Sequence, residues 1–256
     1  MADNEKMIVF PNAKINLGLN VIEKRLDGFH NLESLFVPYF LCDILEVVQE
    51  EKFSMNLYGI KYDGKPMDNL CVKAYDLLKE IYDLPPVGIY LFKKIPVGAG
   101  LGGGSSDATS TLCLLNKMFS LNISDNDLSG YAVQLGSDCA FFIYNKPMIA
   151  RGRGEILTPY NISFDNYIIE LVVPSIFVST KDAYTGIIPN KPAKSLQEVL
   201  SYPIEEWKEL LVNDFEKSIF RKYPLLALEK EALYERGAIY ASMSGSGSSL
   251  YGIFRK

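Results

Sequence analysis

Five of the seven residues from Gly98 to Gly104 are glycine, and two serines follow at once, in the run Pro96-Val97-Gly98-Ala99-Gly100-Leu101-Gly102-Gly103-Gly104-Ser105-Ser106. Glycine costs backbone entropy, so a run this dense needs a reason. Without Cβ atoms, main-chain N–H groups can come close to a ligand. The run follows a strand-like stretch, Val87 to Ile95, and feeds a helical pattern from about Asp107 to Met118. A helix start carries unbonded N–H groups and the positive end of the dipole, which favour an anion. Ser105 and Ser106 can cap that helix or bind phosphate oxygens, and a di- or triphosphate fits. The plain alternative is a flexible strand-to-helix loop.

Known phosphate patterns match this loop poorly. Gly98, Gly100 and Gly103 have GxGxxG spacing. The dinucleotide fingerprint, however, needs a regular βαβαβ context and an acidic residue closing the next strand. No lysine follows the glycines, so the Walker pattern fails. There is no His-Arg-Asp or Asp-Phe-Gly tripeptide of the protein kinases either.

Other polar residues stand where chemistry could use them. Lys14 and Asn16 are two apart on an alternating stretch, Asn12 to Val21, so their side chains share a face. They could hold a hydroxyl and a phosphate, although a half-solvated antiparallel strand alternates in the same way. Asp138 abuts an apolar run, Cys139 to Tyr144. A lysine partner would keep such a carboxylate ionised and ready to accept a proton, whereas a helix N-cap is the structural alternative. His30, the single histidine, follows Phe29 in a loop. A second Gly/Ser cluster, Ser242 to Ser249, is longer than a hairpin turn needs, which makes a second phosphate-facing loop credible.

The elements that must carry these residues are mixed. Strand-like runs dominate the first sixty residues. Asp68 then precedes a helical pattern that ends at Pro85-Pro86, and a shorter helix near Asn126 to Gln134 ends at Gly136. From about Pro159 the pattern restarts, with strands at Tyr167 to Val173, Ala238 to Ala241 and Leu250 to Phe254 and helical stretches between them. Strands first, then mixed elements without a regular βαβ period, point to an α+β architecture. A domain boundary is expected at 158/159.

Composition narrows the partners. The 256 residues are 48% hydrophobic and 22% charged, with a formal net charge of −5 and a pI of about 5.1. A chain this acidic is not built to coat nucleic acid or an anionic membrane. Cys42, Cys71, Cys113 and Cys139 form no CxxC pair, so zinc-site spacing is absent and no protein metal site is expected. The first residues lack the basic start and apolar stretch of a signal peptide, and no run is long and apolar enough to span a bilayer. The expected compartment is the cytoplasm.

Three motifs stand in order: Pro11-Asn12-Ala13-Lys14-Ile15-Asn16-Leu17, Pro96 to Ala108, and Ala241 to Phe254. Together they resemble the GHMP kinase superfamily. Arg25-Leu26-Asp27-Gly28-Phe29-His30, Leu135-Gly136-Ser137-Asp138, Gly152-Arg153-Gly154-Glu155 and Asn213-Asp214-Phe215-Glu216 narrow the resemblance. They point to the members that phosphorylate the 2-hydroxyl of 4-diphosphocytidyl-2-C-methyl-D-erythritol, in non-mevalonate isoprenoid synthesis. The resemblance implies an N-terminal domain like domain 2 of ribosomal protein S5 and a ferredoxin-like C-terminal domain. It implies ATP as donor, with Mg2+, and a small cytidine diphosphate compound as acceptor. Asp138 becomes the base and Lys14 its partner, and Pro96 to Ser106 hold the ATP phosphates. Asn16 becomes a substrate contact, His30 reads the cytosine edge and Phe29 stacks on the ring. Tyr184 is the implied second stacking aromatic, in a region, Leu171 to Pro189, that aligns poorly. Phe29 departs from the commoner tyrosine, keeping the stacking face and losing the hydroxyl. Two competing readings are a kinase of the same superfamily acting on homoserine or a mevalonate-type alcohol, and a nucleotide-binding module without catalysis.

Overall fold

The computed structural model describes residues 7–61 and 64–256. In chain order the strands are β1 (Met7–Val9), β2 (Asn12–Lys24), β3 (His30–Cys42), β4 (Ile44–Gln49), β5 (Ser54–Gly59), β6 (Val87–Lys93), β7 (Met148–Gly152), β8 (Ile156–Pro159), β9 (Tyr167–Val172), β10 (Tyr240–Met243) and β11 (Leu250–Arg255). The helices are α1 (Leu70–Tyr82), α2 (Gly103–Met118), α3 (Asp125–Leu135), α4 (Cys139–Tyr144), α5 (Thr180–Thr185), α6 (Leu196–Leu200), α7 (Trp207–Leu210), α8 (Asp214–Lys222) and α9 (Pro224–Glu235). Among the described residues no helix is long and apolar enough to cross a membrane.

The chain divides into two compact units, and neither is contiguous. One comprises 1–14, 38–97 and 102–146; the other comprises 15–37, 98–101 and 147–256. A single cut at 158/159, as the sequence pattern suggests, would separate segments that the second unit keeps together. The reason is burial: Leu19 and Val21 of β2 belong to the same apolar core as Phe215, Ile219, Met243 and Leu250.

The first unit has a four-stranded sheet in the order β1-β4-β6-β5. Strands β5 and β6 are parallel, and α1 makes the crossover between them; the other pairs are antiparallel. Helix α1 starts where the Asn69 side chain accepts the Cys71 N–H at 2.8 Å, an N-cap. It buries Cys71, Ala74, Tyr75 and Leu78, which recur at helical spacing, and packs against α2. Leu112 and Leu115 of α2 join Leu45, Val47, Ile89 and Leu91 of the sheet in one core. That core seats the α2 end of the glycine run.

The second unit holds the antiparallel sheet β10-β11-β9 and the sheet β2-β3-β7-β8. Its most informative local structure is the start of α8. The Asn213 side chain donates to the Met243 and Gly245 carbonyls at 2.7 and 2.9 Å and accepts the Phe215 N–H at 3.0 Å. Glu216 accepts the Met243 N–H at 2.8 Å and the Ser242 hydroxyl at 3.0 Å. Asp214 accepts the Val21 N–H at 2.7 Å. The Asn213-Asp214-Phe215-Glu216 run therefore braces the entry to the second Gly/Ser cluster from one helix start. Asn213→Ala would strip a cap and orphan two buried carbonyls, a loss of ~2–4 kcal/mol. Urea unfolding of the variant should show a matching fall in midpoint, and an unchanged midpoint would mean that the cluster holds its own shape.

Candidate active site

The glycine run is shared between the two units. On the Gly98–Leu101 side, Gly100 has φ +77°, and a Cβ there would lie 2.0 Å from the Ser244 carbonyl oxygen. The Ser244 hydroxyl donates to the Gly100 carbonyl at 2.9 Å and accepts the Asn16 N–H at 3.2 Å. The Ser249 N–H reaches the Ala99 carbonyl at 3.2 Å. Ser244, Ser248 and Ser249 are buried. The second Gly/Ser cluster thus packs on the first run and buttresses it; these three serines do not present a second phosphate-facing surface.

On the other side, helix α2 begins at Gly103, four residues before the Asp107 expected from periodicity. Glycine's poor helix propensity hides the true start, because the first turn of this helix contains two of them. The Ser106 N–H bonds to the Gly102 carbonyl at 2.9 Å and opens the intrahelical ladder. The N–H groups of Gly103, Gly104 and Ser105 stand before that ladder. Gly102 is left-handed, with φ +70°, and a Cβ there would meet the Phe142 ring at 3.0 Å and the Lys14 stem at 3.1 Å. Lys14 therefore lies against the start of α2. Its ammonium is 3.3 Å from Asp138 Oδ2, with side-chain exposures of 4% and 31%. Asp138 occupies the N-cap position of α4, yet its backbone is helical and its side chain makes no capping bond. The structural alternative for Asp138 fails, and the carboxylate faces the lysine.

Asn16, two residues along β2, is 2% exposed and lies in the second unit. Its amide donates to the Ser34 hydroxyl at 2.9 Å, which in turn donates to the Gly18 carbonyl at 2.5 Å. The Tyr251 hydroxyl donates to the Asn16 carbonyl at 2.8 Å. These bonds fix where the Asn16 side chain sits.

The Phe29–His30 segment ends a turn held by Asp27, which pairs with Arg25 and accepts the Phe29 N–H at 3.1 Å. His30 and Tyr184 come together: their rings are stacked at 4.9 Å and 25°. Tyr184 is steadied in turn by the edge-on ring of Phe215 at 4.8 Å. Phe29 does not join that stack. It is 53% exposed, and the Arg153 guanidinium sits 5.1 Å from its ring centre. Burial, with the Lys24 charge adding to it, holds the His30 imidazole below its usual pKa. A cavity of about 660 Å³ lies nearby in the same unit, lined by Arg25, Leu32, Glu33, Arg151 and Pro192 among others. None of the sequence-predicted site residues lines it.

The order of these parts has counterparts in known proteins. Residues 69–146 match the profile of the GHMP kinases N terminal domain, and residues 196–256 match that of the GHMP kinases C terminal. The 4-diphosphocytidyl-2-C-methyl-D-erythritol kinase of Bacteroides fragilis is 53% identical over 252 residues, covering 97% of this chain and 92% of that protein. The chain belongs to that kinase family. A crystal structure of a 4-(cytidine 5'-diphospho)-2C-methyl-D-erythritol kinase superposes with a TM-score of 0.80 at 33% identity, over 96% of this chain and 89% of that one. The Methanococcus jannaschii mevalonate kinase superposes with a TM-score of 0.72 at 12% identity, over 99% of this chain and 92% of that one, a likeness of fold. The α+β, two-domain GHMP kinase fold expected from the motifs is the fold of this chain, and the chain is a small-molecule kinase.

Sequence reasoning missed one cluster in this kinase. Asp43, Lys93 and Asp107 are all buried. The Lys93 ammonium pairs with Asp43 and with Asp107, the latter at 2.6 Å. A lysine closing an otherwise apolar strand, β6, was the available signal. Burial pushes the Asp107 carboxyl up to about 7, against the opposing pull of Lys93. Burial works to lower Lys93, but the charges of Asp107 and Asp43 outweigh it, and its ammonium stands above its usual value. Cys71 of α1 adds no charge here, because burial pushes its thiol far up.

Asp107 is thus an acid whose folded-state pKa lies above its unfolded value. Its contribution to stability is full while both states are protonated and is lost as pH rises through the folded pKa. The stability of the wild type relative to Asp107→Asn should therefore fall as pH rises from about 4 to about 7 and level off above that. Paired thermal melts across that range check this; a flat difference would mean that Asp107 stays ionised throughout.

Proposed function

We propose that this chain transfers the terminal phosphate of ATP to the 2-hydroxyl of 4-diphosphocytidyl-2-C-methyl-D-erythritol, in non-mevalonate isoprenoid precursor synthesis. The observation that carries the chemistry is the Lys14–Asp138 pair beside the open first turn of α2. The substrate assignment is supported by the names of relatives matched over nearly the whole chain and by the Phe29–His30 segment.

In this reading the acceptor oxygen forms a bond to the γ-phosphorus as the bond to the β-phosphate oxygen breaks, and ADP leaves. Asp138 takes the hydroxyl proton. Phosphoryl transfer through a loose transition state needs positioning and charge neutralisation more than a strong base, so a positioned carboxylate suffices. Lys14, 3.3 Å from Asp138, lends positive charge to the transferring group. The run from Pro96 to Ser106 receives the ATP phosphates, with the N–H groups of Gly103, Gly104 and Ser105 as donors at the helix start. Asn16 holds the acceptor.

Among the described residues no three acidic, Cys or His side chains gather into a metal cage. The half-buried Ser105 hydroxyl at the start of α2 would be the residue able to hold a Mg2+ brought by the nucleotide, together with phosphate oxygens. When bound, Mg2+ supplies charge neutralisation at the β- and γ-oxygens.

A neutral His30 offers one N–H donor and one acceptor, the complement of a cytosine edge. The exposed face of Phe29 can stack on the base. Tyr184, against His30, would be the second aromatic wall. This segment disfavours homoserine or mevalonate as acceptor, since neither has a base to read.

Asp138→Asn should lower kcat by ~10²–10⁴ with the fold intact, the usual worth of a general base. A near-normal kcat would remove Asp138 from that role. His30→Ala should raise KM for the cytidine substrate by roughly 3–10-fold, one hydrogen bond's worth, and leave KM for ATP alone. ADP release with the cytidine compound, homoserine and mevalonate in parallel tests the whole assignment. Turnover only with the first supports it, and turnover with another alcohol discards the cytosine reading.

A further inference from the structure

The glycine run is closed into a ring by one ammonium. Lys93 is the last residue of β6, and Asp107 lies in the second turn of α2, so their 2.6 Å contact brackets the whole run from Pro96 to Ser106. Asp43 secures the near end. One of its carboxylate oxygens accepts the Lys94 and Ile95 N–H groups at 2.5 and 2.8 Å, and the other receives the Lys93 ammonium. Asp43 is itself rooted, because its N–H bonds to the Pro11 carbonyl at 2.9 Å. At the far end, a Cβ on Gly103 would come 3.3 Å from the Lys93 ammonium and 2.7 Å from Ile95 Cγ2. The ammonium therefore lies against the first residue of α2, and the absence of a Cβ makes room for it.

We propose that Asp43, Lys93 and Asp107 are positioning residues for the nucleotide. They fix the distance between the strand exit at Ile95 and the helix start at Gly103, so that the first-turn N–H groups are set before ATP arrives. This rests on the reading of Pro96 to Ser106 as the phosphate loop. A run with five glycines in seven residues is costly to order, and an anion that had to order it would bind more weakly by that amount. A buried clamp at both ends moves the ordering into folding. Two ionised carboxylates around one ammonium would leave a net negative charge beneath an anion site. The raised affinity of Asp107 for a proton relieves that charge near neutral pH.

The test uses the full-length enzyme and two variants, Lys93→Met and the double variant Lys93→Met/Asp107→Leu. The double variant removes a cation together with a carboxylate, because breaking a buried pair from one side alone can unfold a protein. Steady-state kinetics should show KM for ATP raised by about tenfold or more and KM for the alcohol substrate within about twofold of wild type, the split expected of a residue that prepays ordering. Hydrogen exchange of residues 96–106 should be faster in the variants. In the wild type, a non-hydrolysable ATP analogue should slow it.

Unchanged KM for ATP in a folded variant, with the wild-type loop protected by the analogue, overturns the positioning role and leaves the phosphate-loop reading standing. A wild-type loop that the analogue does not protect overturns that reading, and this proposal with it. A double variant that fails to fold marks the three residues as structural support only and also counts against the proposal.

Discussion

In the proposed reading the start of α2 receives an anion, and a helix start that does so must keep its first N–H groups out of its own ladder. In α2 the ladder begins at the Ser106 N–H, leaving Gly103, Gly104 and Ser105 ahead of it. Open N–H groups need close approach, which calls for glycine, and a fixed position, which glycine does not supply. The structure resolves the conflict with neighbours. Gly100 is pressed by the Ser244 carbonyl, Gly102 by Phe142 and the Lys14 stem, and Gly103 by Ile95 and the Lys93 ammonium. These three glycines are each required by a different neighbour, whereas a Cβ on Gly104 would meet only Leu70 at an ordinary 3.7 Å.

The two lysine–carboxylate clusters of the first unit sit at opposite limits of solvation. The Lys93 cluster is sealed, with no member more than 3% exposed in its side chain. A sealed charge cluster is a poor source of net stability but a firm geometric restraint, since separating it leaves uncompensated charge. The Lys14–Asp138 pair is asymmetric: the ammonium is buried and the carboxylate is a third open. An open carboxylate held by a buried cation can exchange a proton with a ligand, and a sealed one cannot. Exposure, more than residue type, separates the proposed chemistry of Asp138 from the support given by Asp43 and Asp107.

Much of this was legible in the sequence because glycine density and short motifs are local. The glycine run, the Lys14–Asn16 spacing and the strand and helix patterns all rest on residues a few positions apart. Most of the misses share one cause: contacts that cross long stretches of chain. Asn213 reaches Met243 and Gly245, and Ser244 reaches Gly100. No periodicity announces either contact, so the second Gly/Ser cluster reads as another anion loop when it is a buttress. Lys93 and Asp43 are fifty residues apart, and neither lies in a known pattern. The start of α2 was misplaced for a different reason, since propensity penalises glycine wherever it falls while a first turn tolerates it.

The aromatic segment shows how much a motif leaves undetermined even when its residues are found. Phe29 and His30 are adjacent, yet they look to different partners. His30 lies against Tyr184, which Phe215 steadies edge-on, while Phe29 carries the Arg153 guanidinium. A guanidinium over one ring face makes that face a cation–π contact. Phe29 is still more than half exposed. Arg153 is held in turn, because its N–H bonds to Glu155 at 2.5 Å, within the Gly152-Arg153-Gly154-Glu155 motif. That motif and the Phe29–His30 segment are more than a hundred residues apart in sequence and meet at one ring. In the proposed reading, a base stacked on the open face of Phe29 would lie on a ring already anchored from behind. The recognition surface would then be a product of both motifs, which is why neither specifies it alone.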